Sequence, residues 1–194
     1  PFDYNHEGFY RVEKGNARHL KDNEDAVKAY YGKDFFIITS RGCIFKCTYC
    51  SNDSKNKLYG DNYRGVRRFS NERVLQDLET AKKHLPFIES VSFIDDDFIS
   101  RKAEELADFC QGYKKRIGLP FFAFGNPVNI NQQNIDMLVD AGMHRMQIGV
   151  QTGSPRMQKL YRRPVTNAKV IAVSNFFERH KGKIVPTYDF ILDN

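Results

Sequence analysis

The hydrophobic positions of this chain form short continuous runs that are separated by longer stretches of mixed character. Each run has the length and the apolar composition of a strand that is covered on both faces. The pattern therefore predicts five buried strands, at residues 35–39, 91–94, 121–124, 146–150 and 184–192.

The stretches between these runs carry apolar residues at spacings of three and four, which is the pattern of one helix face. A polar residue typical of helix N-termini precedes each of them. These residues are Ser70, Ser100, Asn131, Ser154 and Thr166. Because strands and helices alternate, we predict an α/β fold with parallel strands joined by crossover helices. Periodicity leaves open whether the sheet is open or curved into a barrel, but both arrangements place functional loops at the carboxyl ends of the strands.

Two segments depart from this alternation. Residues 1–33 are polar and mixed, with one short helix expected from Asn23 to Tyr31, and we interpret them as a lead-in to a domain at residues 34–194. Residues 51–64 are interpreted as a long polar loop that contributes substrate contacts. Since the chain starts without Met and stops directly after an apolar run, we expect a barrel that is truncated at its C-terminus.

Composition narrows the class of protein. The 194 residues are 41% hydrophobic and 28% charged, which predicts one globular domain with its own core. No apolar run approaches the roughly 18 residues of a membrane span, and the N-terminus lacks the pattern of a secretory signal. We therefore expect a cytoplasmic protein without a membrane partner. The net charge of +6 is spread out, so a nucleic-acid partner is possible but not favoured.

Three of the four cysteines lie within eight residues, directly after the first predicted strand. Cys43, Cys47 and Cys50 have the spacing C-x3-C-x2-C, whereas Cys110 lies on a helix stripe and is predicted to be a buried structural residue. This spacing favours a reduced thiol cluster over a disulfide framework. Three thiolates do not complete a tetrahedral zinc site, and no histidine has ligand spacing to them. A 4Fe-4S cluster held by three cysteines would leave one iron open to a small molecule.

The three cysteines, the aromatic Tyr49 before the last of them and the strand before the first resemble the signature of the radical S-adenosylmethionine (SAM) superfamily. The resemblance covers about residues 34–194 and implies a partial (β/α) TIM-like barrel, a 4Fe-4S cluster and SAM bound to the open iron. It further implies an enzyme that cleaves SAM reductively to a 5′-deoxyadenosyl radical, which abstracts hydrogen from a substrate. A reductant such as flavodoxin or ferredoxin would supply the electron.

The resemblance also names candidate cofactor-binding residues at the strand ends. Tyr49 is expected to lie against the adenine of SAM. Asp95 and Asp96 stand where the family often has Gly-Gly-Glu, and they are the candidates for binding the methionyl amino group. Asn126 follows the third strand and is expected to point into the same site. Gln151 takes the place of a glutamate and is expected to hydrogen-bond a ribose hydroxyl or the cofactor carboxylate.

Four arginines near the fourth strand are further candidates for binding the cofactor carboxylate or an anionic substrate. They are Arg145, Arg156, Arg162 and Arg163, and for Arg162 a solvated helix face is the favoured interpretation.

The form Phe-x-Asp-Asp-x-Phe at residues 93–98 resembles the branch of the superfamily that contains cobalamin-dependent enzymes. This implies a cobalamin-assisted methyl transfer or rearrangement of a small-molecule substrate, with cobalamin held by a domain upstream of this chain. Two alternatives stay open. One is a methylthiotransferase-like RNA-modifying enzyme, which the positive charge mildly favours, and the other is a non-catalytic iron-sulfur or zinc-binding module.

Overall fold

The computed structural model of the chain describes residues 4, 6–62 and 65–192. The strands are β1 (Tyr10–Glu13), β2 (Asn16–His19), β3 (Asp34–Ile37), β4 (Ser40–Arg41), β5 (Arg67–Arg68), β6 (Ser90–Phe93), β7 (Phe121–Gly125), β8 (Met143–Gln151) and β9 (Val185–Phe190). The α-helices are α1 (Glu24–Tyr31), α2 (Ser51–Tyr59), α3 (Asn71–His84), α4 (Ala103–Arg116), α5 (Gln132–Asp140), α6 (Pro155–Leu160) and α7 (Asn167–Glu178). None of the helices in the described ranges is long and apolar enough to cross a bilayer.

Five strands form one parallel sheet in the sequential order β3, β6, β7, β8, β9. A doubly wound sheet reverses its strand order at a switch point, whereas a barrel adds each strand beside the previous one. Helices α3, α4, α5 and α7 contact one another in the same sequential order, as one layer outside a curved sheet does. The predicted α/β fold with a partial TIM-like barrel is confirmed, and the strand order answers the question that periodicity left open.

The two faces of the sheet differ in polarity because successive side chains of a strand point in opposite directions. In β8, Met146, Ile148 and Val150 are buried in the core beneath the helices. The alternate residues Gln147 and Gly149 are half-buried and line a cavity. The concave face of the partial barrel therefore carries the polar groups near the carboxyl ends of its strands.

An aromatic cluster fills the core between the sheet and α4. The ring of Phe93 in β6 lies 4.6 Å from the ring of Phe98, 5.5 Å from that of Phe109 and 5.5 Å from that of Phe121. All four residues are buried. Cys110, on the same helix as Phe109, is also buried, which agrees with its predicted structural role.

The prediction of a loop at residues 51–64 is wrong for the part that the structure describes. Residues 51–59 form helix α2, and Gly60–Asn62 form a 3-10 turn, while residues 63–64 lie outside the described ranges. The helix was missed because it has no apolar stripe and its two buried residues, Asn52 and Asp53, are polar. Asp53 and Lys57 pair one turn apart at 2.6 Å, and Gly60 ends the helix at a positive φ of 49°.

The lead-in segment contains more structure than predicted. The expected helix is present as α1, with the side chain of Asn23 accepting from the N–H of Ala26 at 3.0 Å. Ahead of it, β1 and β2 form an antiparallel hairpin that was not predicted. Val27 and Tyr31 of α1 pack against the main core.

We expect Phe93→Ala to lower the free energy of unfolding by about 3–5 kcal/mol, because the removed ring lies in a packed aromatic cluster. Urea unfolding followed by circular dichroism measures the difference. Phe36→Ala is the control on the neighbouring strand, since its ring is 57% exposed, and it should cost about 1 kcal/mol or less. Equal losses in the two variants would contradict this placement of the core.

Candidate active site

The loop between β4 and α2 carries three cysteines to the carboxyl end of the sheet. Cys43, Cys47 and Cys50 line one cavity of about 180 Å³. The N–H of Cys50 donates to the carbonyl of Cys47 at 3.0 Å, which closes a turn directly before α2. Thr48 fixes the loop to the end of α6, since its N–H donates to the carbonyl of Tyr161 at 3.1 Å. The structure thus brings together the three cysteines that the sequence singled out.

The three thiols line the cavity without converging on a position for a single metal ion. Within the described ranges, no three Cys, His, Asp or Glu side chains lie close enough together to bind a single metal ion. A cluster of four irons is bulkier than one ion and needs its thiolates further apart. Burial raises the pKa of the Cys43 thiol to about 11, so this residue releases a proton when it binds metal near neutral pH.

Arg163 extends into the same cavity beside the cysteine loop. Its Nη1 lies 3.6 Å from Sγ of Cys47, and its Nη2 donates to the carbonyl of Gly149. A Cβ on Gly149 would stand 2.8 Å from Nε2 of Gln151 and 3.1 Å from that Nη2, so a larger residue would displace these two side chains. The buried Nε of Arg163 has no hydrogen-bond partner in the described part of the chain. Of the four arginines considered from the sequence, Arg163 is the one that lines the cysteine cavity.

Asp97 forms another wall of the cavity and is 3% exposed. One oxygen, Oδ2, accepts from Nδ2 of Asn129 at 2.5 Å, whereas the buried Oδ1 has no hydrogen-bond partner among the described residues. Burial raises the pKa of Asp97 to about 6, against the opposing influence of the Asn129 side chain, the backbone N–H groups of Asn126 and Ile99, and the charge of Arg163. Asp97 was the third member of the predicted carboxylate run but was not chosen as a candidate. Its signal in the sequence was the same as that of its two neighbours.

The unpartnered atoms of Asp97 and Arg163 are complementary. A buried polar atom without a partner is costly, so both atoms point to a ligand. Oδ1 of Asp97 requires a donor, and Nε of Arg163 requires an acceptor. A group with an ammonium and a carboxylate, such as the amino-acid end of a small molecule, would satisfy both.

Two predicted residues, Tyr49 and Gln151, also line this cavity. The ring of Tyr49 is 41% exposed and packs edge-on against Tyr161 at 5.1 Å, which leaves one part of the ring accessible. Gln151 ends β8 with a φ of 73°, an unfavourable conformation for a residue with a side chain. The pairing of β8 with β9 shifts register at this point. Such local strain is typical of functional sites.

Asn126 and Asp96 lie at the edge of the cavity. Oδ1 of Asn126 accepts from the N–H of Val128 at 3.1 Å, so the side chain caps the 3-10 turn Pro127–Asn129 as well as lining the site. Asp96 is exposed and accepts from the N–H of Gly42 at 3.2 Å. Both residues are therefore placed where the sequence analysis expected them.

Asp95 does not line the cysteine cavity. Its buried carboxylate accepts from the N–H of Thr39 at 2.6 Å and of Ser40 at 3.0 Å, and from their hydroxyls at 2.5 and 2.9 Å. Arg101 lies 3.4 Å away. These donors fill the acceptor positions of the carboxylate. The expectation that Asp95 contacts a cofactor is corrected to a structural role, because the residue ties the end of β6 to the segment after β3.

Residues that the sequence analysis did not choose complete the cavity wall. Nε2 of Gln147 donates to Oδ2 of Asp189 at 2.7 Å across β8 and β9. Asn52 enters from α2, the segment that was expected to be a loop. Gln147 and Asp189 are polar residues on otherwise apolar strands, which was the available sequence signal that they line a site. Nothing in the sequence marked Asn52 as a site residue.

We expect Asp95→Ala to lower the free energy of unfolding by about 3–5 kcal/mol, because it leaves the buried guanidinium of Arg101 without its carboxylate. Urea unfolding of the cluster-free protein measures the loss. Asp96→Ala, at the exposed neighbour, should change stability by less than about 1 kcal/mol. A stable Asp95→Ala protein that had lost only SAM binding would restore the cofactor role.

The raised pKa of Asp97 predicts a pH-dependent stability. Because the folded state holds this proton up to about pH 6 and the unfolded state only up to about pH 4, stability should fall as pH rises from 4 to 6 and stay lower above it. Asp97→Asn should remove this part of the profile and stabilise the cluster-free protein at pH 8 by about 3 kcal/mol. Thermal unfolding between pH 4 and 8 tests this, with Asp96→Asn as control. A wild-type slope that persists in Asp97→Asn would refute the assignment.

Two curated relatives match part of the chain. A protein described as an uncharacterized methyltransferase, from Pyrococcus horikoshii, is 25% identical over 131 residues, covering 67% of this chain and 27% of that protein. The 4′-phospho-dehydrooxetanocin synthase of Priestia megaterium is 29% identical over 155 residues, covering 69% of this chain and 20% of that protein. The chain thus spans about a quarter of the length of these relatives.

Among solved structures, the cobalamin-dependent SAM radical enzyme OxsB with aqua-cobalamin and SAM bound is similar in fold. The TM-score is 0.71 at 22% identity, and the match covers 94% of this chain and 29% of that chain. This likeness supports the partial-barrel assignment. The family model of the radical SAM superfamily matches residues 37–192. That range contains all three clustered cysteines, the last residue of β3 and the other four strands of the parallel sheet, and the chain belongs to the radical SAM superfamily.

Proposed function

We propose that this chain is the catalytic core of an enzyme that binds a 4Fe-4S cluster through Cys43, Cys47 and Cys50 and cleaves SAM reductively. The observation that carries the proposal is the cavity in which three thiols from one loop face an acidic and a basic side chain, Asp97 and Arg163, each with one buried, unpartnered atom. When bound, the reduced cluster supplies the electron that splits the carbon–sulfur bond of SAM and yields a 5′-deoxyadenosyl radical. A reductant such as flavodoxin or ferredoxin provides that electron.

In this proposal the residues of the chain bind and orient SAM. Asp97 accepts from the amino group of the methionyl end, and Nε of Arg163 donates to its carboxylate. Asp97 takes over the role first expected of Asp95, whereas Asp96 stands at the cavity edge. Asp97 is ionised above its pKa of about 6, so it carries the charge that an ammonium group requires at neutral pH.

The nucleoside part of SAM is assigned to the other end of the cavity. Tyr49 offers an accessible aromatic ring to the adenine. Gln151 presents a side-chain amide, which both donates and accepts, to a ribose hydroxyl. The amide nitrogen of Asn126 makes no hydrogen bond within the described ranges and is free for the same ligand.

We further propose that the whole protein uses cobalamin, held by a domain outside this chain, for methyl transfer to a small molecule or its rearrangement. The similarity to a methyltransferase, a synthase and a cobalamin-dependent SAM radical enzyme supports this proposal. The form of the carboxylate run at residues 93–98 supports the same branch.

Electron paramagnetic resonance on the anaerobically reconstituted and reduced protein tests the core of this proposal. We expect about four irons and matching sulfide per chain, and a cluster signal that shifts when SAM is added. Cys47→Ala should lose the cluster. Cys110→Ala is the matched control, because this fourth cysteine is buried in α4 outside the cysteine cavity, and it should keep both the iron content and the response to SAM.

Other outcomes would count against the proposal in different ways. About one zinc per chain and no iron would favour the non-catalytic zinc module. A cluster signal that ignores SAM would favour an electron-transfer module. Iron loss in Cys110→Ala equal to that in Cys47→Ala would contradict the assignment of the ligands.

A further inference from the structure

A second and larger cavity lies beside the cysteine cavity. Its volume is about 670 Å³, which is within the usual range for small-molecule sites. Helix α2 forms one wall, and the antiparallel ribbon of β4 and β5 forms another. Asn52 and Asp96 line both cavities. A ligand in the second cavity would therefore lie next to the proposed SAM site.

The second cavity is rich in unpaired positive charge. Arg41, Lys55 and Arg67 line it, and Asp96 is the one acidic residue among the described lining residues. The side chains of these three cations make no hydrogen bond or ion pair with any described residue, although eleven ion pairs exist elsewhere in the described ranges. The cavity therefore presents uncompensated cations to an incoming ligand.

Two of these cations face each other across the antiparallel ribbon. Arg41 and Arg67 are direct partners in the register of β4 and β5. Like charges that stand directly opposite each other on paired strands are destabilising. An anion bound between the two guanidinium groups would convert this repulsion into attraction on both sides.

Helix α2 adds neutral and polar recognition groups to the same cavity. Asn52, Lys55 and Tyr59 are spaced three and four residues apart, so they share one helix face. Asn52 is 4% exposed, yet its side-chain amide makes no hydrogen bond with a described residue. The amide lines the cavity and offers both a donor and an acceptor to a polar ligand.

We propose that this second cavity binds the phosphate group of a phosphorylated small-molecule substrate, with Arg41, Lys55 and Arg67 as its charge partners. Phosphate fits this set because it carries up to two negative charges and accepts paired N–H groups of arginine. Asn52 stands between the two cavities and directs the remainder of the substrate towards the cysteines. The assignment rests on the proposed function, since it names the class of molecule on which the radical would act.

Calorimetric titration of the cluster-reconstituted protein with ribose 5-phosphate tests the proposal, with ribose as the uncharged control ligand. The variant Arg41→Gln/Arg67→Gln should bind ribose 5-phosphate at least ~10-fold more weakly than the wild type. Arg179→Gln/Lys183→Gln removes the same charge from the segment before β9, at the opposite end of the sheet. This control variant should bind as the wild type does.

Two further readouts separate binding from folding. Without ligand, Arg41→Gln/Arg67→Gln should unfold at or above the temperature of the wild type, because the like-charge pair is gone. Its cluster signal should still shift on addition of SAM, because neither arginine lines the cysteine cavity.

Three results would overturn the proposal. The first is that the wild type does not bind ribose 5-phosphate, and the second is that the control variant binds it as weakly as Arg41→Gln/Arg67→Gln does. The third is that removal of the two arginines weakens the binding of hydroxocobalamin but not that of ribose 5-phosphate. The last result would assign the cavity to the phosphodiester of cobalamin. A wild-type cluster signal that ignores SAM would refute the proposed function separately, whatever the titration shows.

Discussion

One buried carboxylate determines where the cysteine loop begins. Asp95, at the end of β6, holds Thr39 and Ser40 through their backbone and hydroxyl groups, so the chain leaves β3 in a fixed direction. The guanidinium of Arg101 lies beside this carboxylate and also over the ring of Phe98, at 4.1 Å from the ring centre. It therefore connects the hydrogen-bonded carboxylate to the aromatic core. The positions of the thiols and of both cavities depend on this junction between two parallel strands.

From this junction the chain builds two neighbouring sites of different charge. The cysteine cavity contains one acidic and one basic residue with unpartnered atoms, Asp97 and Arg163, and is suited to a zwitterionic group. The cavity beside it presents an excess of cations and is suited to an anion. This division keeps the two ligand groups apart although both cavities share Asn52 and Asp96.

The sequence predicted the sheet well because buried parallel strands are marked by apolar runs, and helix starts by residues such as Asn131 and Thr166 that the structure uses as caps. It also singled out the three cysteines that the structure brings to one cavity, because the spacing within one loop is a local property. It did not predict α2, whose burial comes from cavity walls and whose sequence has no apolar stripe. It did not distinguish Asp95, which lies outside the cysteine cavity, from Asp97, which lines it, because adjacent residues at a strand end have similar sequence signals but point to different neighbours.

The position of Cys50 has a thermodynamic consequence. This residue is the N-cap of α2, and the same helix supplies Asn52, Lys55 and Tyr59 to the second cavity. A metal centre that orders Cys50 therefore also orders the first turn of a helix that contacts the other ligand. If the metal centre raises the affinity for a ligand of α2 by some factor, that ligand must raise the affinity for the metal centre by the same factor, because the coupling free energy is shared. The proposed cluster would then be held most tightly when the neighbouring cavity is filled.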